Sequence, residues 1–103
     1  MADPMRIRAQ AQGGNVVVKV LMAHEMETGQ RKDANGKVIP AWYITDVTAT
    51  LNGKPVMTAQ WGPAVSKNPF MQFTIKGGKA GDKVGIQWVD NHGDKRADET
   101  TVA

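Results

Sequence analysis

Leu51-Asn52-Gly53-Lys54 sets an Asn-Gly pair between two runs of strand-forming residues. Both residues of such a pair accept the positive φ that a type I′ hairpin requires. The reversal commits the middle of the chain to antiparallel strands, and alternation elsewhere extends that commitment. Met5, Ile7, Ala9 and Ala11 alternate with Arg6, Arg8, Gln10 and Gln12, predicting a strand over residues 5–12 with one greasy face. Gly13-Gly14-Asn15 turns the chain. A second strand over 16–22 puts Val16, Val18, Val20 and Met22 on one side, and Val17, Lys19 and Leu21 on the other.

Residues 23–37 are polar and read as an excursion whose tip, Asp33-Ala34-Asn35-Gly36, reverses sharply. Val38-Ile39-Pro40 begins the return, with Pro40 limiting sheet hydrogen bonding. From 43 to 51, Tyr43, Val47, Ala49 and Leu51 are expected inward, with Thr45 filling the gap. Further strands are expected over 56–61, 70–75, around Val84, Ile86 and Trp88, and over 96–102. The last has Ala97, Glu99 and Thr101 on a solvated face. Between them lie Gly62-Pro63, Asn68-Pro69, the glycine turn at 76–82 and Asp90-Asn91-His92-Gly93-Asp94. Seven short one-faced strands with no persuasive helix predict an all-β, immunoglobulin-like antiparallel β-sandwich, with a small closed barrel as the runner-up. A chain of 103 residues without repeats or linkers is expected to form one domain over 1–103.

Function classes narrow by subtraction. Thirteen Lys and Arg against ten Asp and Glu give a net charge of +3. The basic residues are dispersed along the chain, and no aromatic lies between them as a base-stacking platform, so nucleic acid is not expected as a partner. No apolar run is long enough to cross a bilayer, and no membrane insertion is expected. The absence of cysteine removes an internal disulfide, a thiol nucleophile and thiolate metal ligation. Ser66 lacks the glycine elbow of a hydrolase nucleophile, and Gly77-Gly78-Lys79 lacks the strand-to-helix transition of a phosphate loop. Met1-Ala2-Asp3-Pro4-Met5-Arg6 lacks the apolar stretch of a secretory signal, although export attached to a signal-bearing partner leaves the same trace.

Two chemical readings survive. His24, Glu25 and Glu27, with His92 between Asp90 and Asp94, could supply metal ligands if both loops met at one end of the sandwich; an autonomous metal-assisted enzyme using His24 and His92 is therefore the alternative. The other reading is a contact surface. If the strand assignments hold, Val17, Leu21, Ile44 and Phe70, with Val89 nearby, leave an apolar patch on the second face, where a sandwich ordinarily shows water polar groups. A shifted register or a covering loop would also account for it. The expected partner contacts are Val17, Leu21, His24, Met26, Ile44, Trp61, Phe70 and His92, with no catalytic residue, cofactor or metal assigned.

Longer stretches also carry a resemblance. Lys19-Val20-Leu21-Met22-Ala23-His24 followed by Met26-Glu27-Thr28-Gly29, then Leu51-Asn52-Gly53, Gln60-Trp61-Gly62-Pro63, Ser66-Lys67-Asn68-Pro69-Phe70 and Asp90-Asn91-His92-Gly93, resembles the SoxZ family over nearly the whole chain. The resemblance implies an immunoglobulin-like sandwich that forms a heterodimer with SoxY, whose cysteine near a mobile C-terminal end carries sulfur intermediates during thiosulfate oxidation. It implies a noncatalytic subunit that supports that carrier and helps its transient docking to SoxAX, SoxB and SoxCD-type enzymes. It also implies a periplasmic location reached by export with the SoxY-like partner.

Overall fold

A computed structural model describes residues 3–103; Met1 and Ala2, which open the N-terminal segment read above, lie outside the described residues. Seven strands follow one another: β1 (Arg6–Gln12), β2 (Asn15–Leu21), β3 (Ile44–Leu51), β4 (Lys54–Gln60), β5 (Phe70–Lys76), β6 (Lys83–Asp90) and β7 (Lys95–Thr101). They form a three-stranded sheet of order β1-β2-β5 and a four-stranded sheet of order β4-β3-β6-β7, every pairing antiparallel. The described residues contain no helix. This is the immunoglobulin-like β-sandwich that the alternation predicts, and strand limits fall within one or two residues of expectation.

Register explains why the two sheets pack. On the inner face of the three-stranded sheet the cross-strand rows are Ile7–Val20–Met71, Ala9–Val18–Phe73 and Ala11–Val16–Ile75, apolar throughout. Opposite them Val47, Ala49, Val84, Ile86 and Trp88 are buried. Withdrawing a side chain of this size from water stabilises the fold by about 1.5–3 kcal/mol before entropy is counted. One lateral side of the sandwich is closed by main-chain bonds between β1 and the residues that follow β7, Ala11 N–H to Ala103 O and Ala103 N–H to Ala9 O, both 2.9 Å. Asn52 and Gly53 take φ values of 51° and 83°, as the predicted hairpin between β3 and β4 requires.

One expectation fails at the start of β3. Tyr43 and Thr45 are only half-buried, whereas Ile44 is 0 % exposed. The cause is a β-bulge: Ile44 pairs with Asp90 and Asp46 with Val89, so β3 spends one extra residue against β6. Ile44 and Val47, three apart, therefore both point into the core. Strict period-two alternation assigns them to opposite faces.

Both sheets end in the same two sets of connections. At one end lie the short turns at 13–14, 52–53 and 77–82. At the other lie the long segments 22–43 and 61–69, the turn 91–94 and the N-terminal entry to β1.

Candidate functional site

The long-loop end is organised by Asp90, the last residue of β6. Its side chain is buried, and each carboxylate oxygen accepts two hydrogen bonds. Oδ1 accepts the amides of His92 and Asp94, both at 2.9 Å, which folds the β6–β7 turn around the side chain. Oδ2 accepts Nε2–H of His24 at 3.0 Å and Nε1–H of Trp42 at 2.7 Å. His24 Nδ1 meanwhile accepts the amide of Met26 at 3.1 Å, so the ring proton sits on Nε2 and points at the carboxylate. Burial pushes the Asp90 carboxyl upward; the bonds from His24, Trp42, Asp94 and His92 outweigh it and hold the group below the ordinary carboxylate range.

The surrounding loops lock onto this centre through local chemistry. Asn68 adopts φ 50°, a conformation asparagine tolerates, with its amide on His24 O and its Oδ1 accepting His24 N–H. Met26, also at φ 50°, places its sulfur 3.4 Å from the Ile44 amide. Glu27 and Trp42 exchange main-chain bonds, and Asn91 bridges to both Tyr43 N–H and Ala41 O. His92 donates from Nε2 to Ala41 O at 3.2 Å and stacks on Trp42, with ring centroids 5.3 Å apart and planes 4° from parallel. His24 is sandwiched beneath, 5.1 Å from Trp42 and 5.1 Å from the edge-on ring of Trp88. A cavity of about 250 Å³ opens here, bounded by His24, Trp42, Trp88, Glu25, Asn68 and Asp94.

This arrangement does not suit metal chemistry. Both ring nitrogens of His24 are engaged, Glu25 pairs with Lys67 at 3.3 Å and Glu27 with Arg31. Among the described residues no group of three or more His, Asp or Glu is placed to hold an ion. The two histidines do come to one end, as the metal reading required, but only the His24 ring reaches the Asp90 carboxylate; His92 meets it through its main-chain amide and its ring stacks on Trp42.

The eight predicted contact residues divide. Leu21 and Phe70 stand directly opposite each other on the outer face of the three-stranded sheet, 41 % and 60 % exposed. Val17 lies half-buried on that face two rows away, with the Lys19–Gln72 row between. His92 is exposed on its Trp42 platform, and Trp61 is half-buried with its amide on Thr45 O. His24 and Met26 are buried scaffold. Ile44 is a correction: the bulge puts it in the core, on the other sheet from Leu21 and Phe70, and Val89 shares that other sheet. The expected four-residue patch thus reduces to the Leu21–Phe70 pair with Val17 at a distance. Sequence reasoning also missed Trp42 and the hub role of Asp90. The available signal was Asp90-Asn91-His92-Gly93-Asp94 itself, where an aspartate followed by a tight turn binds the amides ahead of it.

A family model described as Sulphur oxidation protein SoxZ matches residues 5–101, which takes in all seven strands and every loop of this end. The chain belongs to the SoxZ family. A comparison with curated proteins gives no match. Membership makes this SoxZ chain a sulfur-oxidation protein, a participant in the Sox system. The Asp90 centre falls within the matched span; of the stretches that carry the resemblance, those around His24, Asn68 and Asp90 belong to this end, and Leu51-Asn52-Gly53 lies at the other.

Proposed function

We propose that this chain is the noncatalytic subunit of a SoxYZ-type sulfur-carrier complex, stabilising a cysteine-bearing SoxY-like subunit and shaping its docking to SoxAX, SoxB and SoxCD-type enzymes. Covalent sulfur carriage needs a thiolate, and this chain has no cysteine, so the sulfur is held by the partner. The expected setting is the periplasm, reached by export with the partner.

The observation that carries the reading is the exposed Leu21–Phe70 pair beside a rigid loop end. A leucine facing an aromatic across two strands forms a preorganised apolar anchor, and burying it gives roughly 25 cal/mol per Å² against the costs of ordering. Anchors of this type concentrate binding energy in a few side chains. The Asp90 network spends both His24 nitrogens on bonds within the loops and presents His92 on Trp42, an arrangement that supports recognition.

The test is titration of the purified cysteine-bearing subunit into wild type, Phe70→Ala, Leu21→Ser and Lys79→Ala, all verified as folded. The first two variants are expected to weaken assembly about tenfold or more, and Lys79→Ala, at the opposite end, to leave it unchanged. Equal affinities across the set would reject the contact surface. Thiosulfate turnover by the isolated chain would reject the noncatalytic role.

A further inference from the structure

The outer face of the three-stranded sheet is a grid whose rows are fixed by register: Arg6–Leu21–Phe70, Arg8–Lys19–Gln72, Gln10–Val17–Thr74 and Gln12–Asn15–Lys76. It holds four cations and no carboxylate, since β1, β2 and β5 contain neither Asp nor Glu. Those four charges exceed the whole chain's net +3, so the remainder of the molecule is close to neutral and the positive potential is concentrated here. None of Arg6, Arg8, Lys19 and Lys76 forms an ion pair among the described residues. The four-stranded sheet is mixed: Lys83 meets Glu99 at 3.8 Å and Arg96 meets Asp98 at 2.8 Å.

Arg8 and Lys19 are directly opposite in the β1–β2 ladder. Like charges in that position destabilise a sheet, so folding alone does not account for the pair. A cleft of about 550 Å³ runs over the same spot, lined by Arg8, Gln10, Val17, Lys19, Gln72 and Thr100. Arginine, lysine and glutamine amide groups there supply hydrogen-bond donors to an incoming carboxylate.

We infer that the partner surface meeting Leu21 and Phe70 is acidic, and that Arg6, Arg8 and Lys19 select and steer it by charge. The inference rests on the proposed reading of Leu21–Phe70 as a contact, because the cationic row is continuous with that pair on one face. An acidic protein surface fits better than nucleic acid. The face carries one aromatic, Phe70, at its edge, and so lacks the row of stacking platforms that single-strand binders use.

Stopped-flow association with the cysteine-bearing subunit, run over a series of salt concentrations, tests this with Arg8→Glu, Lys19→Glu and Phe70→Ala. Each charge reversal is expected to slow association about tenfold at low salt and to flatten its salt dependence, because steering acts on the on-rate. Phe70→Ala is expected to act on dissociation instead. Arg8→Glu also places opposite charges across the ladder, so its thermal midpoint is expected to hold or rise while binding falls. That opposite movement separates lost recognition from lost folding. Unchanged on-rates and salt slopes for both reversals, with Phe70→Ala still weakening the complex, would overturn the acidic partner and leave the carrier reading standing. No effect from any of the three variants would overturn both. As a second arm, poly-L-glutamate is expected to shift the amide resonances of Arg8, Lys19 and Gln72; tighter binding of duplex DNA at equal charge would overturn the choice of a protein partner.

Discussion

The two ends of the sandwich are held by different physics. At the turn end, each reversal is shaped locally and tied to a neighbour one pair at a time: Asn52 and Gly53 adopt positive φ and close β3 onto β4, and Asn52 donates its amide to Lys83 O at 2.8 Å while its Oδ1 accepts the Lys83 amide at 2.9 Å. Side chains there make isolated contacts, such as Asp82 Oδ2 accepting the Lys79 amide at 3.0 Å. At the loop end, one carboxylate gathers donors from both ends of the long 22–43 segment, His24 and Trp42, and from the 92–94 turn. Pairwise ties fail one at a time, whereas a shared hub couples every loop that depends on it.

The sharpest way to break that contrast is Asp90→Ala against Asp82→Ala. Removing Asp90 leaves buried donors on His24 and Trp42 without their acceptor and frees two amides of the β6–β7 turn. The expected loss is about 3 kcal/mol or more. Asp82→Ala removes a bond near the surface and is expected to cost about 1 kcal/mol or less. Urea unfolding of both variants measures the difference; equal midpoints would mean that Asp90 coordinates nothing beyond its own turn. Because the loops share the hub, Asp90→Ala should also broaden amide resonances at Met26, Trp42 and Asn68 together, while Asp82→Ala stays local.

Acid provides a milder version of the same perturbation, since protonation removes the charge but keeps the side chain. Asp90 has its carboxyl held below the ordinary range, so the stability it contributes is complete above the unfolded carboxylate value and is lost as pH falls through the depressed folded value. Asp98 acts with the same sign: the Arg96 guanidinium, reinforced by the Met5 amide, lowers its carboxyl despite partial burial. Wild type is therefore expected to lose stability as pH drops below the unfolded carboxylate range. Asp90→Asn should start lower and show a shallower slope in the same range. Parallel acid titrations followed by circular dichroism compare the slopes; an unchanged slope in Asp90→Asn would assign the acid sensitivity to Asp98 and other carboxylates.

What was legible from sequence follows the same division. Strands and turns were readable because alternation and Asn-Gly chemistry are local: the inward set Val16, Val18, Val20, Val84, Ile86 and Trp88 and the solvated Ala97, Glu99 and Thr101 of β7 all sit where period two puts them. The loop end was not readable in that way. His24 and Asp90 are 66 positions apart and Trp42 and Asp90 are 48 apart, so nothing local announces that they meet. Ile44 was misplaced because a bulge has no reliable composition signal, and a one-residue slip exchanges the faces. The cationic sheet face lay between these cases. Arg6, Arg8 and Lys19 were visible as residues, but only the register that aligns Arg8 with Lys19 turns dispersed charges into one surface.

The smallest effects sharpen the picture of the turn end, where cost should follow backbone geometry and immediate space alone. Gly13 and Gly78 both adopt positive φ, 57° and 90°. A Cβ on Gly13 would meet nothing within 4 Å, so Gly13→Ala carries only the left-handed backbone penalty, about 1 kcal/mol. A Cβ on Gly78 would lie 2.7 Å from Cγ2 of Val16, a fully buried side chain that cannot swing aside. Gly78→Ala therefore adds overpacking to the backbone term and should cost about 2 kcal/mol. Thermal melts of the two variants decide it. If they matched, Val16 would have room to yield, and the turn would be less tightly keyed to the core than the strands it joins.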